Sequence, residues 1–309
     1  MRTALLFAGQ ATQYVGMGRL LHERFPEARQ FFDDADAALG EPFSELILGG
    51  PDEKLNLTEN TQPAVLTVAC AAHAVLTRRG FKPAVVAGHS LGEYGALVSA
   101  GALEFPAAVR LCRQRGAFMQ AAVAPSVGAM AAIQRADDAA VAEACAAAEG
   151  VCEVAAHNAP QLTVISGEAA AVARACERLS AAGAIVTPLT VSAPFHCRLL
   201  QPAADRLALA LEAVAFGPLS HPYIDNVDAA WHETAEPAEI RARLVRQVTG
   251  AVLWKETLEL MLARGVERFW HLGPGRSNLT HVKRLARKAP IGSLDEADDL
   301  QAILAEIGS

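Results

Sequence analysis

Residues Ala84–Gly92 read Ala-Val-Val-Ala-Gly-His-Ser-Leu-Gly, an apolar run followed by the pattern Gly-x-Ser-x-Gly. The apolar run favours a buried strand, and the next segment, Glu93–Ser99, is compatible with a helix. A serine on a tight strand-to-helix turn needs small neighbours, because the turn is strained and packs closely. The segment therefore predicts a nucleophile elbow, with Ser90 at the start of a helix whose dipole favours nearby negative charge.

Two other segments favour strands. One is the apolar run Thr3–Phe7, and the other is Val266–Leu272, which ends at Gly273–Gly275. Alanine-rich stretches between the runs, such as Ala64–Arg79 and Ala107–Ala122, favour helices. Strands that alternate with helices indicate an α/β fold with a mostly parallel sheet. Together with the elbow, they predict an α/β-hydrolase-like large domain.

The middle of the chain has a different order of elements. It predicts a strand, a helix, two strands, a helix and a strand: Gly128–Ile133, Asp137–Ala148, Cys152–Ala156, Leu162–Ser166, Glu168–Ala182 and Ala184–Val191, with a turn at Asn158–Gln161. This βαββαβ order is the ferredoxin-like pattern. We expect an inserted small subdomain at residues 125–193, and a discontinuous catalytic domain made of residues 1–124 and 194–309.

Composition limits the possible classes of function. The 309 residues are 52% hydrophobic and carry a net charge of −7, which argues against a nucleic-acid partner. No apolar run reaches the roughly 18 residues of a membrane span, so neither membrane association nor a signal peptide is expected. The six cysteines lack a CxxC pair, which favours free thiols in a reducing cytoplasm. The nine histidines lack HExxH spacing and give no argument for a zinc site.

A serine hydroxyl is a weak nucleophile until a base takes its proton. His196 is the best candidate for that base, because it follows the last strand of the predicted subdomain in a loop. His89 adjoins Ser90, but neighbouring side chains on an elbow point apart. His73 lies within a helical pattern, where a core or surface role is more common than a catalytic one.

Nine motifs of the chain occur in the order found in one known family. They are Phe7–Gln13 with Gly16–Gly18, Thr61–Ala64, Gly88–Tyr94, Arg115–Gln120, Gly128–Ile133, Asn158–Pro160, Phe195–His196, Val245–Gln247 and Gly273–Gly275. The first resembles an FPGQGSQ…GMG opening. Together they resemble the malonyl-CoA:acyl-carrier-protein transacylase family, which includes the acyltransferase domains of polyketide synthases.

The resemblance implies a role for each matching position at the reaction centre. Ser90 is expected to be acylated and His196 to act as its base, in a dyad without a third acidic residue. The main-chain carbonyl of Gln247 is expected to hold the histidine. The backbone N–H groups of Gln10 and Leu91 are expected to form the oxyanion hole, since fixed amides need not reorganise as charge develops.

The resemblance also implies a substrate pocket. Arg115 matches an arginine that grips the free carboxylate of malonyl, and a planar guanidinium can hold a carboxylate through two parallel hydrogen bonds. Without the match, Arg115 would be interpreted as a solvated helix residue. Phe195 matches a bulky residue of malonyl-selecting members. Gln62 and Met119 lie in matching motifs and are expected to bind substrate.

The chain departs from the family pattern in three segments. Ala8 and Ala11–Thr12 change the predicted oxyanion loop, and Ser192–His196 blends two versions of its loop. Arg276–His281 replaces a more apolar stretch. These departures leave the acyl group and the carrier open without affecting the predicted dyad.

The expected function is ping-pong transfer of a malonyl or related acyl group from CoA to the phosphopantetheine thiol of an acyl carrier protein, in fatty acid or polyketide synthesis. No metal or other cofactor is expected. The alternatives are carrier-to-carrier transfer of a larger acyl or aminoacyl group, an acyl hydrolase that edits carriers, and a non-catalytic docking scaffold. Arg115 counts against the hydrolase, and the Ser90/His196 pair counts against the scaffold.

One local basic cluster stands out in the acidic chain: Lys283, Arg284, Arg287 and Lys288. Such a cluster is most often a solvated helix face. It also predicts a contact for an acidic carrier protein.

Overall fold

The computed structural model describes residues 1–124 and 126–308, so Pro125, where the predicted subdomain begins, lies outside the described residues. The strands are β1 (Thr3–Phe7), β2 (Val85–Gly88), β3 (Gly128–Gln134), β4 (Cys152–Ala159), β5 (Leu162–Glu168), β6 (Ile185–Leu189), β7 (Tyr223–Ile224), β8 (Trp231–His232), β9 (Arg268–Leu272) and β10 (Ile291–Ser293). The helices are α1 (Arg19–Arg24), α2 (Pro26–Leu39), α3 (Phe43–Gly49), α4 (Asp52–Leu55), α5 (Thr58–Thr77), α6 (Gly92–Ser99), α7 (Phe105–Ala122), α8 (Asp138–Ala146), α9 (Ala169–Ala181), α10 (Gln201–Glu212), α11 (Pro237–Thr249), α12 (Trp254–Ala263), α13 (Ser277–Leu285) and α14 (Ala297–Ile307).

The larger sheet has the strand order β10-β9-β1-β2-β7-β8. All of its pairings are parallel except that of β7 with β8. Successive residues of β1 point to opposite faces: Leu5 and Phe7 pack into one core cluster, and Ala4 and Leu6 into another. Helices therefore cover both faces, as a parallel sheet requires. The prediction of an α/β large domain is confirmed.

Three loops meet at one edge of this sheet, because parallel strands end on the same side. The elbow follows β2, the loop of Gly9 and Gln10 follows β1, and Gly273–Gly275 follows β9. Ligands of open α/β sheets bind outside the carboxyl ends of the strands. The topology thus places the predicted nucleophile and the predicted oxyanion loop side by side.

The smaller sheet has the order β4-β5-β3-β6 and is antiparallel throughout. Helices α8 and α9 pack on one of its faces around Ile133, Val141 and Ile165. This is the βαββαβ topology expected from the sequence, so the ferredoxin-like prediction is confirmed. The limits of the subdomain at residues 125 and 193 stay a prediction.

The predicted turn at Asn158–Gln161 is wrong in its first half. Strand β4 continues to Ala159, which pairs with Leu162, so only Pro160 and Gln161 connect the two strands. The polar side chain of Asn158 resembled a turn residue, but it lies on a strand and hydrogen-bonds across to the larger domain.

Helix α5 begins at Thr58, earlier than the alanine-rich stretch from Ala64 indicated. Polar residues and Pro63 disguised its first turns. Pro63 lies inside the helix, where it removes one backbone hydrogen bond. The polar side chains of the first turns are buried, and those of Asn60 and Thr61 donate to carbonyls of the preceding helix. Of the described helices, none combines the length and hydropathy that a membrane span requires.

Candidate active site

The elbow is held in a strained conformation by close packing. Ser90 has φ 51°, in the left-handed region. A Cβ atom on Gly88 would lie 1.9 Å from the backbone of Gly92, and one on Gly92 would lie 2.4 Å from the carbonyl oxygen of Phe7. Asn226 ties the turn down: its Oδ1 accepts from the Ser90 N–H at 2.7 Å, and its Nδ2 donates to the Gly88 carbonyl at 2.8 Å. The hydroxyl is thereby fixed at the end of β2.

Ser90 and His196 are in direct hydrogen-bond contact. The distance from Ser90 Oγ to His196 Nε2 is 2.7 Å, and His196 Nδ1 lies 2.8 Å from the main-chain oxygen of Gln247. Because a carbonyl oxygen only accepts, Nδ1 carries the proton, which leaves Nε2 to accept from the serine hydroxyl. This is the arrangement that a base needs.

The imidazole of His196 is neutral at ordinary pH. Burial lowers the pKa of His196 to about 3, and the positive charge of Arg115 adds to the effect. Desolvation disfavours the protonated ring, since the charge loses its water. Within the described chain, no carboxylate hydrogen-bonds to the ring, so the pair has no acidic third member there.

The guanidinium of Arg115 lies beside the nucleophile. Its side chain is 1% exposed, and Nη2 donates to Ser90 Oγ at 3.2 Å and to Gln247 Oε1 at 2.9 Å. Nη1 donates to Gln62 Oε1 at 2.8 Å. No carboxylate of the described residues forms an ion pair with it. A buried charge without a counter-ion is costly, so the geometry leaves a place for an anion.

A cavity of about 810 Å³ opens in front of the dyad. Seven of the nine predicted site residues line it: Gln10, Gln62, Ser90, Arg115, Met119, Phe195 and His196. Leu91 and Gln247 lie behind this lining, where they contact it through the backbone and hydrogen bonds. The structure thus brings all nine predicted residues to one place.

The comparisons with known proteins agree with this geometry. A family model described as "Acyl transferase domain" matches residues 4–271. The malonyl CoA-acyl carrier protein transacylase of Escherichia coli (strain K12) is 43% identical over 305 residues, which cover 97% of this chain and 98% of that protein. The chain belongs to the malonyl-CoA:acyl-carrier-protein transacylase family.

Solved transacylase structures share the whole fold. An acyl carrier protein S-malonyltransferase from Vibrio cholerae is 40% identical with a TM-score of 0.95, covering 98% of this chain and 100% of that one. A malonyl-transacylase solved in complex with a type II PKS acyl-carrier protein is 38% identical with a TM-score of 0.95, covering 99% and 100%.

Two buried residues of this transacylase-family chain escaped the sequence analysis. Glu93 Oε2 accepts from Gln247 Nε2 at 2.7 Å and from the Asn226 N–H at 3.1 Å. Burial, with the nearby Asp225 as the next cause, raises the pKa of Glu93 to about 8. The raised pKa favours the protonated carboxyl, and among the described residues no hydrogen bond or ion pair joins it to Arg115.

Sequence signals for both residues exist. Glu93 is a charged residue inside the apolar helix α6, and Asn226 follows β7 at the same sheet edge as the elbow. A buried charge at the start of an apolar helix, and a polar residue at the carboxyl end of a parallel strand, both favour a functional role.

The predicted oxyanion donors of the transacylase fold are free. In the described part of the chain, the backbone N–H groups of Gln10 and Leu91 donate to no acceptor. Leu91 directly follows the nucleophile, and the Gln10 side chain is anchored by donating to Thr58 Oγ1 at 3.3 Å. Two unpaired amides beside a serine can stabilise a negatively charged oxygen.

One group of metal-ligating side chains lies outside the cavity of this transacylase fold. Asp138, His157 and Glu256 place candidate ligand atoms within 4.8 Å of one another. The Lys255 ammonium contacts Asp138 and lies 3.3 Å from Glu256. Since the lysine already supplies the positive charge, the group is an ion-pair cluster between α8 and α12.

Proposed function

We propose that the chain moves a malonyl group from CoA to the phosphopantetheine thiol of an acyl carrier protein, in fatty acid or polyketide synthesis. The observation that carries the proposal is the buried guanidinium of Arg115, 3.2 Å from Ser90 Oγ and without a carboxylate partner among the described residues. A malonyl carboxylate paired with Arg115 brings its thioester carbonyl beside Oγ. The names of the relatives support this choice of acyl group and acceptor.

In the first half-reaction, Ser90 Oγ attacks the thioester carbonyl carbon while its proton passes to His196 Nε2. The negative charge that develops on the carbonyl oxygen is stabilised by the N–H groups of Gln10 and Leu91. The tetrahedral intermediate collapses by breaking the C–S bond. The departing CoA sulfur takes the proton from His196, and a malonyl ester remains on Ser90.

In the second half-reaction, the carrier thiol replaces CoA. His196 Nε2 takes the thiol proton, and the thiolate attacks the ester carbonyl carbon. The C–O bond to Ser90 breaks, and its oxygen recovers the proton from the histidine. The mechanism needs no metal or organic cofactor, since the dyad and backbone amides perform every proton transfer and charge stabilisation.

The remaining predicted residues shape the acyl pocket. Gln62 orients Arg115 by accepting a hydrogen bond, and its Nε2 lies 3.6 Å from Met119 Sδ. Phe195 and Met119 line the pocket with apolar side chains, and we expect the bulky Phe195 to exclude larger acyl branches. We place the enzyme in the cytoplasm, where CoA thioesters and carriers are available. Its cysteines are free, and all but Cys176 are buried.

Intact-protein mass spectrometry tests the proposal. The protein is mixed with malonyl-CoA, acetyl-CoA or an aminoacyl carrier, and then with a holo carrier protein. We expect a malonyl adduct that the carrier removes. Ser90→Ala should form no adduct, and His196→Ala should acylate about 10²–10⁴-fold more slowly.

Other outcomes identify the alternatives. An adduct from aminoacyl carriers but none from malonyl-CoA would favour carrier-to-carrier transfer. Release of free malonate without a malonyl carrier would favour the hydrolase. A stable adduct on the Ser90→Ala protein would contradict the dyad.

A further inference from the structure

The cavity extends to both sides of Ser90. On one side, Arg115 Nη2 donates to Oγ, and Arg115 Nη1 donates to Gln62 Oε1. On the other side, His89 turns away from the serine, and its Nε2 lies 2.7 Å from Asn158 Oδ1. The His89 ring centroid is 6.3 Å from that of His281. We call this second side, with His89, Asn158 and His281, the thiol arm.

The proposed function determines what enters the thiol arm. When the acyl carboxylate pairs with Arg115 and the carbonyl carbon meets Ser90 Oγ, the sulfur and everything attached to it extend to the opposite side. In both CoA and a holo carrier, this part is the same phosphopantetheine chain. It contains two amide groups and a dimethyl-substituted carbon, so it has hydrogen-bonding and apolar portions.

The two walls of the thiol arm match those portions. Strands of the smaller sheet present apolar side chains to the cavity: Met130, Ala155, Ala156, Val164 and Leu189. Helix α13 presents polar ones, Ser277, Asn278 and His281. His281 lies four residues after Ser277 and three after Asn278, so it is a neighbour of both on the helix surface. A methyl-bearing chain fits the first wall, and amide groups fit the second.

Of these polar groups, His281 is the one with a buried side-chain atom that has no partner in the described part of the chain. Asn278 Nδ2 donates to the Phe7 carbonyl at 3.0 Å, and Asn158 Oδ1 is engaged by His89. His281 Nδ1 is buried and has no hydrogen-bond partner among the described residues. An unpaired buried polar group is unfavourable, and because His281 lines the cavity, a ligand there can supply the missing partner.

The His281 ring is uncharged. Burial, with His89 and Arg284 as lesser causes, lowers the pKa of His281 to about 3. A neutral imidazole has one N–H donor and one nitrogen acceptor. An amide group has the complementary acceptor and donor, whereas a phosphate has only acceptors and a charge.

We propose that His281 is a specificity-determining residue that hydrogen-bonds to an amide of the phosphopantetheine arm shared by CoA and the carrier. The inference rests on the proposed function, since that function places the thiol side of the substrate in this arm. His281 favours thioesters that carry an amide over simple alkyl thioesters of the same acyl group.

The test assays three malonyl donors on the wild-type protein and on His281→Leu. The leucine keeps the approximate side-chain volume and removes the hydrogen bond. The donors are malonyl-CoA, malonyl-N-acetylcysteamine with one amide, and malonyl S-propyl thioester with none. A neutral hydrogen bond contributes about 0.5–1.5 kcal/mol, equivalent to about 2- to 13-fold. We expect kcat/KM for Ser90 acylation to fall by that factor with malonyl-CoA and to stay unchanged with the alkyl thioester.

The N-acetylcysteamine donor locates the contact: a matching loss places it at the amide nearer the sulfur, and no loss places it at the farther one. His281→Gln should recover part of the loss, because its amide donates and accepts. Thr280→Leu on the exposed side of α13 is the matched control, and kcat/KM should stay unchanged with all three donors.

Two results would overturn the inference. An equal loss with all three donors would assign His281 to support of the elbow through His89. Unchanged kcat/KM with all three would leave it without a substrate contact. Failure of the proposed function is distinct, because wild type would then form no malonyl adduct with any donor.

Discussion

At the scale of single residues, Arg115 separates substrate recognition from bond chemistry. Removing one partner of a buried charge pair costs about 2–5 kcal/mol. Arg115→Ala should therefore lower kcat/KM for malonyl-CoA by roughly 30-fold to several thousand-fold. Acetyl-CoA has no carboxylate and should react as before or faster. Steady-state assays with both donors measure the ratio, and a parallel loss would mean that Arg115 supports the fold or binds CoA.

The low pKa of His196 sets the acid limit of the first half-reaction. Since the neutral ring is the base, and its pKa is about 3, acylation by acetyl-CoA should stay level from pH 8 down to pH 5. Arg115→Ala removes one cause of the lowered pKa and should shift the acid limb upward. Single-turnover rates against pH measure both, and a wild-type limb near the ordinary value of about 6.5 would contradict the structure.

The residues that the sequence revealed are those with local patterns. Ser90 was found from its flanking glycines, whereas Gln247 was found only through the family resemblance. Glu93 and Asn226 were missed because their hydrogen-bond partners are distant in the sequence. Glu93 is 133 positions from Asn226 and 154 positions from Gln247. Single-sequence patterns carry no information on such distant contacts.

At the scale of elements, the elbow depends on the absence of side chains between β2 and α6. The Cβ of Gly88→Ala would meet backbone atoms at 1.9 Å, which no side-chain movement can relieve. Ordinary overpacking costs about 1–3 kcal/mol. We expect Gly88→Ala to lower the free energy of unfolding by more than that. Thermal unfolding measures it. Gly49→Ala, with nothing within 4 Å, is the control and should leave Tm unchanged or raised.

Helix α13 links the cavity to the basic cluster. It begins at Ser277 in the cavity wall and ends at Leu285, and Arg284 Nη2 donates to Gln134 Oε1 on the smaller sheet at 3.0 Å. Lys283 Nζ donates to main-chain carbonyls at the end of the helix, one of them that of Arg287. The cluster thus lies beside the junction of the two sheets, within one helix length of the cavity.

An acidic carrier docked on this cluster gives a kinetic prediction. Arg284→Glu with Arg287→Glu should raise the KM for the carrier and leave self-acylation by malonyl-CoA unchanged, since such charges act mainly on encounter. The carrier effect should shrink with added salt. Arg78→Glu with Lys82→Glu, before β2 at the opposite sheet edge, is the control. Equal effects on both half-reactions would mean that the cluster is a solvated helix face and not a docking site for the carrier.

The prediction of helices and strands succeeded where the hydrophobic pattern and the flanking turn residues agreed. The bounds of β1 were predicted as observed, because Thr3 and the four apolar residues that follow it end at a glycine-containing turn. The start of α5 was missed because its first turns are polar, and their burial depends on α7 and on the loop after β1. The strand order was out of reach, since β1 pairs with β9 from the far end of the chain.

At the scale of the whole molecule, buried neutral histidines make stability sensitive to acid. Burial lowers the pKa of His73 and His271 to about 4, and that of His196 and His281 to about 3. The unfolded chain takes up these protons below pH 6.5 and the folded chain does not, so stability is present above that pH and lost as it falls. Each histidine contributes about 1.4 kcal/mol per pH unit at most.

Urea unfolding between pH 7.5 and 5 measures this loss. The total free energy of unfolding of a protein is about 5–15 kcal/mol. The loss from four such histidines should therefore lower the urea midpoint steeply below pH 6. His73 lies away from the cavity. The variant His73→Gln should take up about one proton fewer on unfolding, which lowers the slope of the unfolding free energy against pH. An unchanged slope in this variant would contradict the burial of His73 as a neutral group.

Glu93 acts in the opposite direction. Its pKa is raised from 4.5 to about 8, so the folded chain holds a proton that the unfolded chain has lost. Its stabilising contribution is full below pH 4.5 and disappears as the pH rises through about 8. Glu93→Gln keeps the hydrogen-bonding shape without the titration. The variant should therefore lose less stability than wild type between pH 6 and pH 9, measured by thermal unfolding.

The two sheets contribute different things to the cavity, and this division bears on how such enzymes can diversify. The larger domain carries Ser90, Arg115 and Gln247, whereas the smaller sheet supplies an apolar surface and Asn158. A recombination event that exchanges only the inserted segment would therefore inherit an intact nucleophile with a new lining for the thioester. Such an exchange would change the contacts to the thiol side of the substrate and leave the bond chemistry to residues outside the exchanged segment.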